Sequence, residues 1–324
     1  MSLHSCIARA AIASLCLCTA AFNASAQTAY PAKTINLIIG SAPGGGTDAI
    51  GRVLAEALTA SLKQPVIPMN KAGASGTIAS EQLVRSPADG YTLLVQQNGH
   101  TVNLVTFRKL PYDTFNDFTP ISPLGQSPLV LVAGAHTQVK TIKDLVALGK
   151  RTPNSMSFAA SETSTRLATE MISGATGIPL LAVNYKGTGP AMSDLAGGHV
   201  NFSVTTIAST LPFQGSGKVN YIAVLATQRS TFLPDVPTLA EQGLPGIEAS
   251  AWWGVLGPAH MPEPLVLKLN EAIHAALGSP EVKNRIMSLS IEPWSTSPKD
   301  FDQFLHKEVE RNMALAKKAG INPE

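Results

Sequence analysis

Short apolar runs that alternate with longer amphipathic segments are the feature that most limits how this chain can fold. The runs are bounded by Gly, Pro, Ser or Asn, and they read TINLIIG, PVIPMN, YTLLVQQ, PLVLVAG, SMSFAAS, LLAVNYK, VNFSVTT, YIAVLAT and WWGVLGP. Between several of them, apolar residues recur at spacings of three and four, as from Ile50 to Leu62. Strands that alternate with helices predict an α/β fold of mainly parallel sheets covered on both faces.

The first 26 residues have the pattern of a cleaved secretory signal. A weakly basic start is followed by the apolar run AAIASLCLCTAAF and by the small residues Ala24-Ser25-Ala26. The run is shorter than the ~20 residues that span a bilayer. The polar stretch QTAYPAK follows at once, which favours a signal peptide over a buried first helix. We therefore predict a signal peptide over residues 1–26, cleavage before Gln27 and a soluble exported chain.

Cysteine content and charge narrow the function classes. Cys6, Cys16 and Cys18 all lie in the predicted signal, so the mature chain would have no disulfide, thiolate nucleophile or cysteine metal site. Of the 24 Lys and Arg residues only Arg9 is lost, so the mature formal charge is 23 minus 22, or +1. A near-neutral chain has no electrostatic basis for binding nucleic acid or an anionic membrane. A secreted enzyme and a ligand receptor both remain open.

The order of the segments predicts two lobes. The strand pattern restarts near PLVLVAG, and the chain is mostly helical from Pro264 to Ala319. A helical tail must bury its apolar faces on an earlier lobe. We predict a discontinuous first lobe of residues 27–130 and 254–324 and an inserted second lobe of residues 131–253. The chain would cross between the lobes twice, which suits closure around a ligand.

A glycine-rich loop, PGGGTD from Pro43 to Asp48, joins the first strand to the first amphipathic segment. Glycine permits close backbone approach, and free N–H groups at a helix start can hold an anion, so we expect Gly44 to Thr47 to present N–H groups to a ligand. Neither a Gly-Lys-Ser/Thr nor a Gly-x-Gly-x-x-Gly pattern is present in register, which argues against nucleotide binding. The alternative is a plain turn capped by Thr47 or Asp48.

Two further clusters follow later strands. NKAGASGTIASEQL repeats the small-residue design after the second strand, with Gly73 to Gly76 before a helix. Loops at the carboxyl ends of successive parallel strands point into the same crevice, where α/β sheets bind ligands. Tyr185, Lys186 and Gly187 end a later strand, although Tyr185 also suits a core aromatic and Lys186 a surface charge.

The patterns of an enzyme are absent from the sequence. The histidines have no zinc-site spacing, the acids show no paired arrangement, and no Gly-x-Ser-x-Gly is present. Trp252 and Trp253 are expected to pack in the hinge or core. We therefore predict no catalytic residues, no metal and no cofactor. A secreted α/β hydrolase or transferase is the alternative.

Several motifs together resemble a known family. They are YPAKTINLIIGSAPGGGTDAIGRVLAEAL, NKAGASGTIASEQLVRSPADGYTLL, NYKGTGPAMSDLAGGHVN and RSTFLPDVPTLAEQGLPGIEASAWWGVLGPAHMPEPLVLKLN. From about Tyr30 to the C-terminus, the chain is similar to the solute receptors of the tripartite tricarboxylate transporter family, often called Bug receptors. The resemblance implies a monomeric periplasmic binding protein with a type II-like fold of two α/β lobes. It would close on a small carboxylated solute and deliver it to the membrane components of such a transporter, or report it to a sensor protein.

The resemblance also implies a set of ligand-binding residues. Members hold the carboxylate largely with backbone N–H groups, small hydroxyl side chains and ordered water. Carried over by motif, the site residues are Ala42, Pro43, Gly44, Gly45, Gly46, Thr47, Asp48, Ala74, Ser75, Gly76, Thr77, Gln97, Asn98, Ser161, Thr163, Ser164, Thr165, Tyr185, Lys186, Gly187, Thr205 and Thr206.

The chain departs from the family pattern in two loops. SETSTRLATE has Arg166 where members often have histidine, and NFSVTT has Asn201 and Thr205 where members commonly have aspartate. The loss of an acid disfavours a ligand that carries an ammonium group. We therefore expect a non-amino mono-, di- or tricarboxylate.

Overall fold

A computed structural model of the protein describes residues 30–161, 163–185 and 188–319. The predicted signal peptide and the predicted site residues Lys186 and Gly187 lie outside these ranges. The chain divides into a short unit, Met1–Lys33, and a large compact unit, Thr34–Glu324, which contains all the strands and helices that the structure describes. None of those helices is both long and apolar enough to cross a membrane.

Strands and helices alternate along most of the chain. The strands are β1 (Ile35–Ile39), β2 (Val66–Asn70), β3 (Thr92–Gln97), β4 (Phe118–Gly134), β5 (Ser157–Ala160), β6 (Leu181–Asn184), β7 (Phe202–Thr206), β8 (Val219–Val224), β9 (Ser250–Pro258) and β10 (Glu292–Pro293). The helices are α1 (Gly46–Leu62), α2 (Thr77–Val84), α3 (Gly99–Thr106), α4 (Ile142–Arg151), α5 (Thr163–Thr176), α6 (Thr188–Gly197), α7 (Ile207–Thr210), α8 (Glu263–Gly278), α9 (Pro280–Ser288) and α10 (Pro298–Ala319). The predicted α/β class is confirmed, and each of the predicted strands is present.

The sheet runs in the order β2-β1-β3-β9-β4-β7-β5-β6, and β8 and β10 also pair with β4. The trio β2-β1-β3 is parallel, and so is the trio β6-β5-β7. The pairs β3-β9, β9-β4 and β4-β7 are antiparallel. The prediction of mainly parallel sheets is therefore wrong for the centre of the sheet. There β9 runs antiparallel to both β3 and β4, and β7 runs antiparallel to β4, so every pair that joins the trios is antiparallel.

Strand β4 connects the two trios, because it pairs directly with β7 and reaches β3 through β9. Its first half pairs with β9 as far as Pro128 opposite Ser250, and its second half pairs with β7 and β8 from Leu129 onward. Only the second half was predicted, because prolines disfavour a central strand. Register shifts beside Pro120 and Pro123 accommodate two of them as bulges.

The chain returns across the sheet just before β9 begins. The N–H of Leu129 donates to the carbonyl of Ala249, and the N–H of Ala249 donates to the carbonyl of Leu225, both at 2.9 Å. Strand pairing thus changes partners at Pro128–Leu129 and at Ala249–Ser250. The two-lobe division with boundaries at 130/131 and 253/254 stays a prediction.

Separate hydrophobic clusters support the two trios. One joins β1, β3 and β9 to the C-terminal helix through Ile38, Leu94, Trp252 and Phe301. The rings of Trp252 and Phe301 meet edge to face at 5.8 Å. The other cluster joins the second half of β4 to β5, α6 and α7, with members that include Val130, Ala159, Met192 and Ile207. Each trio therefore has its own apolar support, which holds its strand ends in place.

Candidate functional site

The carboxyl ends of the two parallel trios face each other across one segment of β4. Gln97, at the end of β3, lies opposite Trp253 of β9, which lies opposite Gly125 of β4. Thr206, at the end of β7, lies opposite Leu129 of β4. Strand β7 runs antiparallel to β4 whereas β3 runs in the same direction as β4, so the two strand ends point toward each other. The four-residue interval on β4 corresponds to about 13 Å at ~3.3 Å per residue. This interval is the offset between the two strand ends along the direction of β4.

All the described residues of the predicted site follow or end one of these strands. We call the ends of β1, β2 and β3 with the residues after them the first edge. We call the ends of β5, β6 and β7 with the residues after them the second edge. Because parallel strands bring their carboxyl ends to a common edge, the residues from Ala42 to Asn98 group together, and so do those from Ser161 to Thr206.

The start of α1 offers free donors at the first edge. Ala42 to Gly45 form an exposed loop, and Gly45 is the N-cap residue without a side-chain cap, so neither Thr47 nor Asp48 is the cap. Among the described residues, no acceptor binds the backbone N–H groups of Gly46, Thr47 or Asp48. The helix dipole adds positive potential at this end. Three N–H groups at a helix start can hold an anionic oxygen.

Asp48 organises the loop around that helix start. Its carboxylate accepts hydrogen bonds from the N–H of Gly44, from Arg52 Nε and from Asn70 Nδ2, each at 2.9 Å. The Gly44 N–H is therefore engaged within the protein, contrary to the expectation that it faces a ligand. Burial is the largest single influence on the pKa of the Asp48 carboxyl, and it acts to raise it. The hydrogen bonds from Arg52, Gly44 and Asn70 together outweigh burial, so the pKa of Asp48 is lowered. Asp48 is thus an anchor between β1, α1 and β2.

A hydrogen-bonded relay runs beneath the first edge. The indole Nε1 of Trp253 donates to Thr47 Oγ1 at 3.0 Å, and Thr47 Oγ1 donates to Gln97 Oε1 at 2.7 Å. An indole N–H can only donate, and two oxygens 2.7 Å apart need a proton between them, so the single hydroxyl proton of Thr47 goes to Gln97. Gln97 then turns its oxygen inward and leaves its NH₂ group as the free donor.

Trp253 therefore supports the candidate site through Thr47, a contact that the sequence interpretation missed. Its ring is 2 % exposed and lies under Gly46, where an added Cβ would come within 3.4 Å of Cζ2. The prediction that Trp253 packs in the hinge or core describes its burial but not its role in holding Thr47. No local pattern could reveal the contact, because the two residues are 206 positions apart.

Asn98 joins the end of β3 to the start of β9. Its Nδ2 donates to the carbonyl of Ser250 at 2.6 Å, and its Oδ1 accepts the N–H of Trp252 at 2.8 Å. Both ends of the amide are thus occupied by backbone groups of β9. Asn98 was predicted as a ligand contact. In the structure its side chain holds the end of β3 against the start of β9.

The second loop of the first edge has a strained backbone. Gly73, Ala74, Ser75 and Gly76 have φ angles of 130°, 46°, 52° and 86°. The carbonyl of Ser75 accepts from Asn103 Nδ2 at 3.2 Å, and a Cβ on Gly76 would lie 2.5 Å from Gln96 Nε2. Consecutive left-handed residues persist only when their surroundings enforce them, and they cluster at ligand clamps. Thr77 follows as the first residue of α2.

The second edge leaves two buried hydroxyls without a partner. Ser161 Oγ, just after β5, and Thr205 Oγ1, near the end of β7, are both buried and make no hydrogen bond in the structure. Thr206 instead caps α7, where its Oγ1 accepts the N–H of Ser209 at 3.4 Å. The two unpartnered hydroxyls are therefore free to bind a ligand.

Tyr185 and the start of α5 complete the described part of the second edge. The Tyr185 hydroxyl donates to Asp194 Oδ2 at 2.7 Å, and burial together with this carboxylate raises the pKa of Tyr185 to about 12. Helix α5 begins at Thr163, and Thr165 is buried. Ser164 lines a small cavity together with Asn98 of the first edge, Leu129 and Asn312. Within the described ranges, no group of three or more His, Cys, Asp and Glu residues could hold a metal ion.

The family described as "Tripartite tricarboxylate transporter family receptor" matches residues 50–321. A curated relative, protein BugT of Bordetella pertussis, is 36 % identical over 300 residues, which are 91 % of this chain and 92 % of that protein.

Two solved structures from Rhodopseudomonas palustris are similar along nearly the whole chain. Rpa4515 with adipate is 31 % identical with a TM-score of 0.86, and the match covers 91 % of this chain and 100 % of that one. MatC (Rpa3494) with bound malate is 29 % identical with a TM-score of 0.81 and coverage of 88 % and 99 %. The predicted resemblance and the predicted periplasmic-binding-protein fold are confirmed.

Proposed function

The chain belongs to the tripartite tricarboxylate transporter receptor family, and from this we propose that it is a periplasmic receptor for a small non-amino carboxylate. In this proposal the protein binds the solute without transforming it. It then presents the solute to the membrane components of a transporter of the same type. Export would follow from the predicted signal peptide over residues 1–26.

The observation that carries the proposal is the pair of strand edges that face each other across β4. The first edge offers the free N–H groups of Gly46, Thr47 and Asp48 and the NH₂ group of Gln97. The second edge offers the hydroxyls of Ser161 and Thr205. These groups can all donate hydrogen bonds, and a carboxylate only accepts them. The adipate and malate in the two similar structures are both carboxylates, which supports the same ligand class here.

Closure of two lobes would couple binding to delivery. The lobes in this proposal are residues 27–130 with 254–324 and residues 131–253, and the chain crosses between the two trios near Leu129 and Ala249. A ligand that contacts both edges binds the closed state better than the open one, so it shifts the population toward closure. A membrane partner would then recognise the closed surface.

A ligand screen tests the proposal directly. Protein purified without refolding is analysed by native mass spectrometry for a bound small acid, and then by thermal shift against mono-, di- and tricarboxylates and α-amino acids. A true ligand at 100 times its Kd should add ~2.7 kcal/mol to the free energy of unfolding. Stabilisation by an α-amino acid, with no response to any carboxylate, would refute the non-amino assignment. Turnover of an ester by the purified protein would instead support the hydrolase alternative.

The transport role needs a separate measurement in cells. Deletion of the gene should abolish uptake of the acid found in the screen at low external concentration, and the wild-type gene should restore it. Uptake that is unchanged in the deletion strain would contradict a role in transport while leaving solute binding intact.

A further inference from the structure

A buried glutamine of β3 joins three parts of the first edge. Gln96 is 1 % exposed, and its Nε2 donates to the carbonyl of Gly76 at 3.2 Å and to Ser80 Oγ at 3.1 Å. Its Oε1 accepts the N–H of Gln97 at 3.2 Å. Both N–H bonds of the amide and one lone pair of its oxygen are therefore used within the protein. At this burial, the amide itself is out of reach of a ligand.

Two glycines allow the backbone of two loops to lie against this amide. An added Cβ on Gly40, directly after β1, would come within 2.7 Å of Gln96 Oε1. An added Cβ on Gly76, directly before α2, would come within 2.5 Å of Gln96 Nε2. Real Cβ atoms do not come this close to another heavy atom. The loop after β1 and the turn before α2 are therefore both packed on the same buried group.

Each of these contacts leads to a part of the crevice that the proposed function uses. Gly40 is followed in the chain by the free N–H groups at the start of α1. Gly76 ends the strained turn and precedes Thr77. The N–H that Oε1 accepts belongs to Gln97, whose own side chain accepts from Thr47. One amide thus fixes the loop after β1, the turn before α2 and the end of β3 relative to one another.

The directions of the hydrogen bonds require an amide at this position. The carbonyl of Gly76 can only accept, and the N–H of Gln97 can only donate, so position 96 must present one donor and one acceptor. Glutamate has the same shape, but its ionised form has no donor and would place a charge against the Gly76 carbonyl. Its protonated form has one donor again. Burial raises the pKa of a carboxyl group, so this proton is regained above the ordinary value of about 4.3.

We propose that Gln96 is the positioning residue of the first edge. It does not touch the solute, and its amide sets the spacing between the loop after β1, the turn before α2 and Gln97. The inference rests on the proposed function, because it concerns the same crevice. Ligand affinity should therefore depend on the hydrogen-bonding pattern at position 96 and not on its bulk.

The first test needs no ligand. Amide hydrogen exchange is measured by NMR on the mature protein and on Gln96→Glu near neutral pH. The N–H groups of Gly40, Gly76 and Gln97 are all hydrogen-bonded in the wild type. In the variant all three should exchange about 10-fold faster, because local opening becomes easier when the amide no longer bonds both partners.

The second test measures affinity. Malate, adipate and any acid found in the ligand screen are titrated into both proteins by calorimetry near neutral pH and near pH 5. Near neutral pH, Gln96→Glu should bind about 10- to 100-fold more weakly than the wild type. Near pH 5 it should recover to within about 3-fold, because its protonated carboxyl group donates again. Comparison with the wild type at each pH cancels the titration of the acid itself. Gln96→Met, which never donates, should stay weak at both pH values.

A matched control separates positioning from general stability. Asn270 is also buried, and its Nδ2 donates to the carbonyls of Ile121 and Thr296, each at 2.8 Å. Neither carbonyl belongs to an edge of the crevice. Asn270→Leu should lower the thermal midpoint, as Gln96→Met does, but it should leave both the affinity and the exchange of the two loops unchanged.

The outcomes distinguish this inference from the proposed function. If Gln96→Glu and Gln96→Met bind the acid as tightly as the wild type does, or if Asn270→Leu loses as much affinity, the positioning role is refuted. Faster exchange in only one of the two loops would also refute it, because the amide would then not couple them. If no acid of the screen binds the wild-type protein, the proposed function itself fails, and the exchange measurement still decides whether Gln96 couples the loops.

Discussion

The two edges of the crevice are built from similar small and polar residues, yet their hydrogen bonds are distributed differently. At the first edge, Thr47, Asp48, Gln97 and Asn98 all make hydrogen bonds to other protein groups. At the second edge, the hydroxyls of Ser161 and Thr205 make none. The first edge thus keeps its side chains for its own architecture and offers mainly backbone N–H groups. The second edge uses Tyr185 and Thr206 within the protein but offers the side-chain hydroxyls of Ser161 and Thr205.

This difference separates two tasks of a receptor. Backbone donors held by a satisfied network are preorganised, so little conformational entropy is lost when they bind an anion. Unsatisfied hydroxyls lower the stability of the empty protein but gain partners when a matching ligand arrives. The first edge is therefore suited to a group that every ligand shares, and the second edge to the group by which ligands differ.

The largest expected effect comes from the strained turn of the first edge. Gly76→Ala would place a Cβ 2.5 Å from Gln96 Nε2 at a φ of +86°, so it adds overpacking to backbone strain. We expect a loss of about 2–4 kcal/mol in the free energy of unfolding. Chemical denaturation measures this loss. Gly45→Ala is the matched control, because its φ is −87° and only the Ala42 carbonyl, at 3.9 Å, lies near an added Cβ. A similar loss in both variants would contradict the argument.

Breaking the relay should have the next largest effect. Thr47→Val leaves the buried Nε1 of Trp253 without an acceptor and frees the Gln97 amide to rotate. The free energy of unfolding should fall by about 1–3 kcal/mol. Carboxylate affinity should fall as well, since Gln97 no longer holds its NH₂ group toward the crevice. Thr47→Ser keeps the hydroxyl and should retain most of both properties in denaturation and calorimetry. If Val and Ser behaved alike, the relay would have no energetic role.

The anchor of the first edge should show a pH signature. Asp48→Asn removes the charge that binds Gly44, Arg52 and Asn70, and it should cost about 1 kcal/mol at neutral pH. The pKa of Asp48 is lowered by folding, so its stabilisation is present above the ordinary value of 3.8 and is lost as pH falls through the lowered pKa. The stability difference between wild type and variant should therefore shrink below pH 3.8. A difference that stays constant down to pH 2 would exclude this charge effect.

The smallest effect on stability is expected at the second edge. Thr205→Val keeps the shape of the side chain and removes a buried hydroxyl that has no partner. The unfolding free energy of the empty protein should change by less than about 0.5 kcal/mol or increase slightly. The same substitution at Thr47 should be clearly destabilising, so this pair of valine variants is the sharpest test of the contrast between the edges. A loss at Thr205 as large as that at Thr47 would show that the edges are built alike.

Much of the architecture could be predicted because its signals are local. Apolar runs and their bounding residues located β1, β2, β3, β5, β6, β7, β8 and β9, and helical spacing placed α1 between the first two strands. The first half of β4 was missed, because the rule against proline in a strand does not foresee bulges beside Pro120 and Pro123. The antiparallel centre was missed because strand direction depends on which distant strands meet.

The positions of the candidate site residues at strand ends could also be predicted from local signals, and their binding role stays a prediction. Glycine and small polar residues after successive strands pointed to a crevice at the strand ends, and the described members of that set do lie on two facing edges. The sequence could not show which of these side chains form hydrogen bonds within the protein. The Asn98 side chain donates to the backbone of β9, the Tyr185 hydroxyl donates to Asp194, and the Thr47 hydroxyl accepts from Trp253.

By itself, the sequence determined the alternation of strands and helices, the glycine-rich turns after the strands and the family to which the chain belongs. These features depend on periodicity and backbone preference, which neighbouring residues set among themselves. Only the tertiary structure decided which donors are used within the protein and which are left for a ligand. That choice depends on the hydrogen bonds that Thr47 makes with Gln97 and with Trp253. These partners lie 50 and 206 positions from Thr47 in the sequence. A hydrogen bond forms between atoms at the right distance and angle, and only the folded chain brings such distant atoms together.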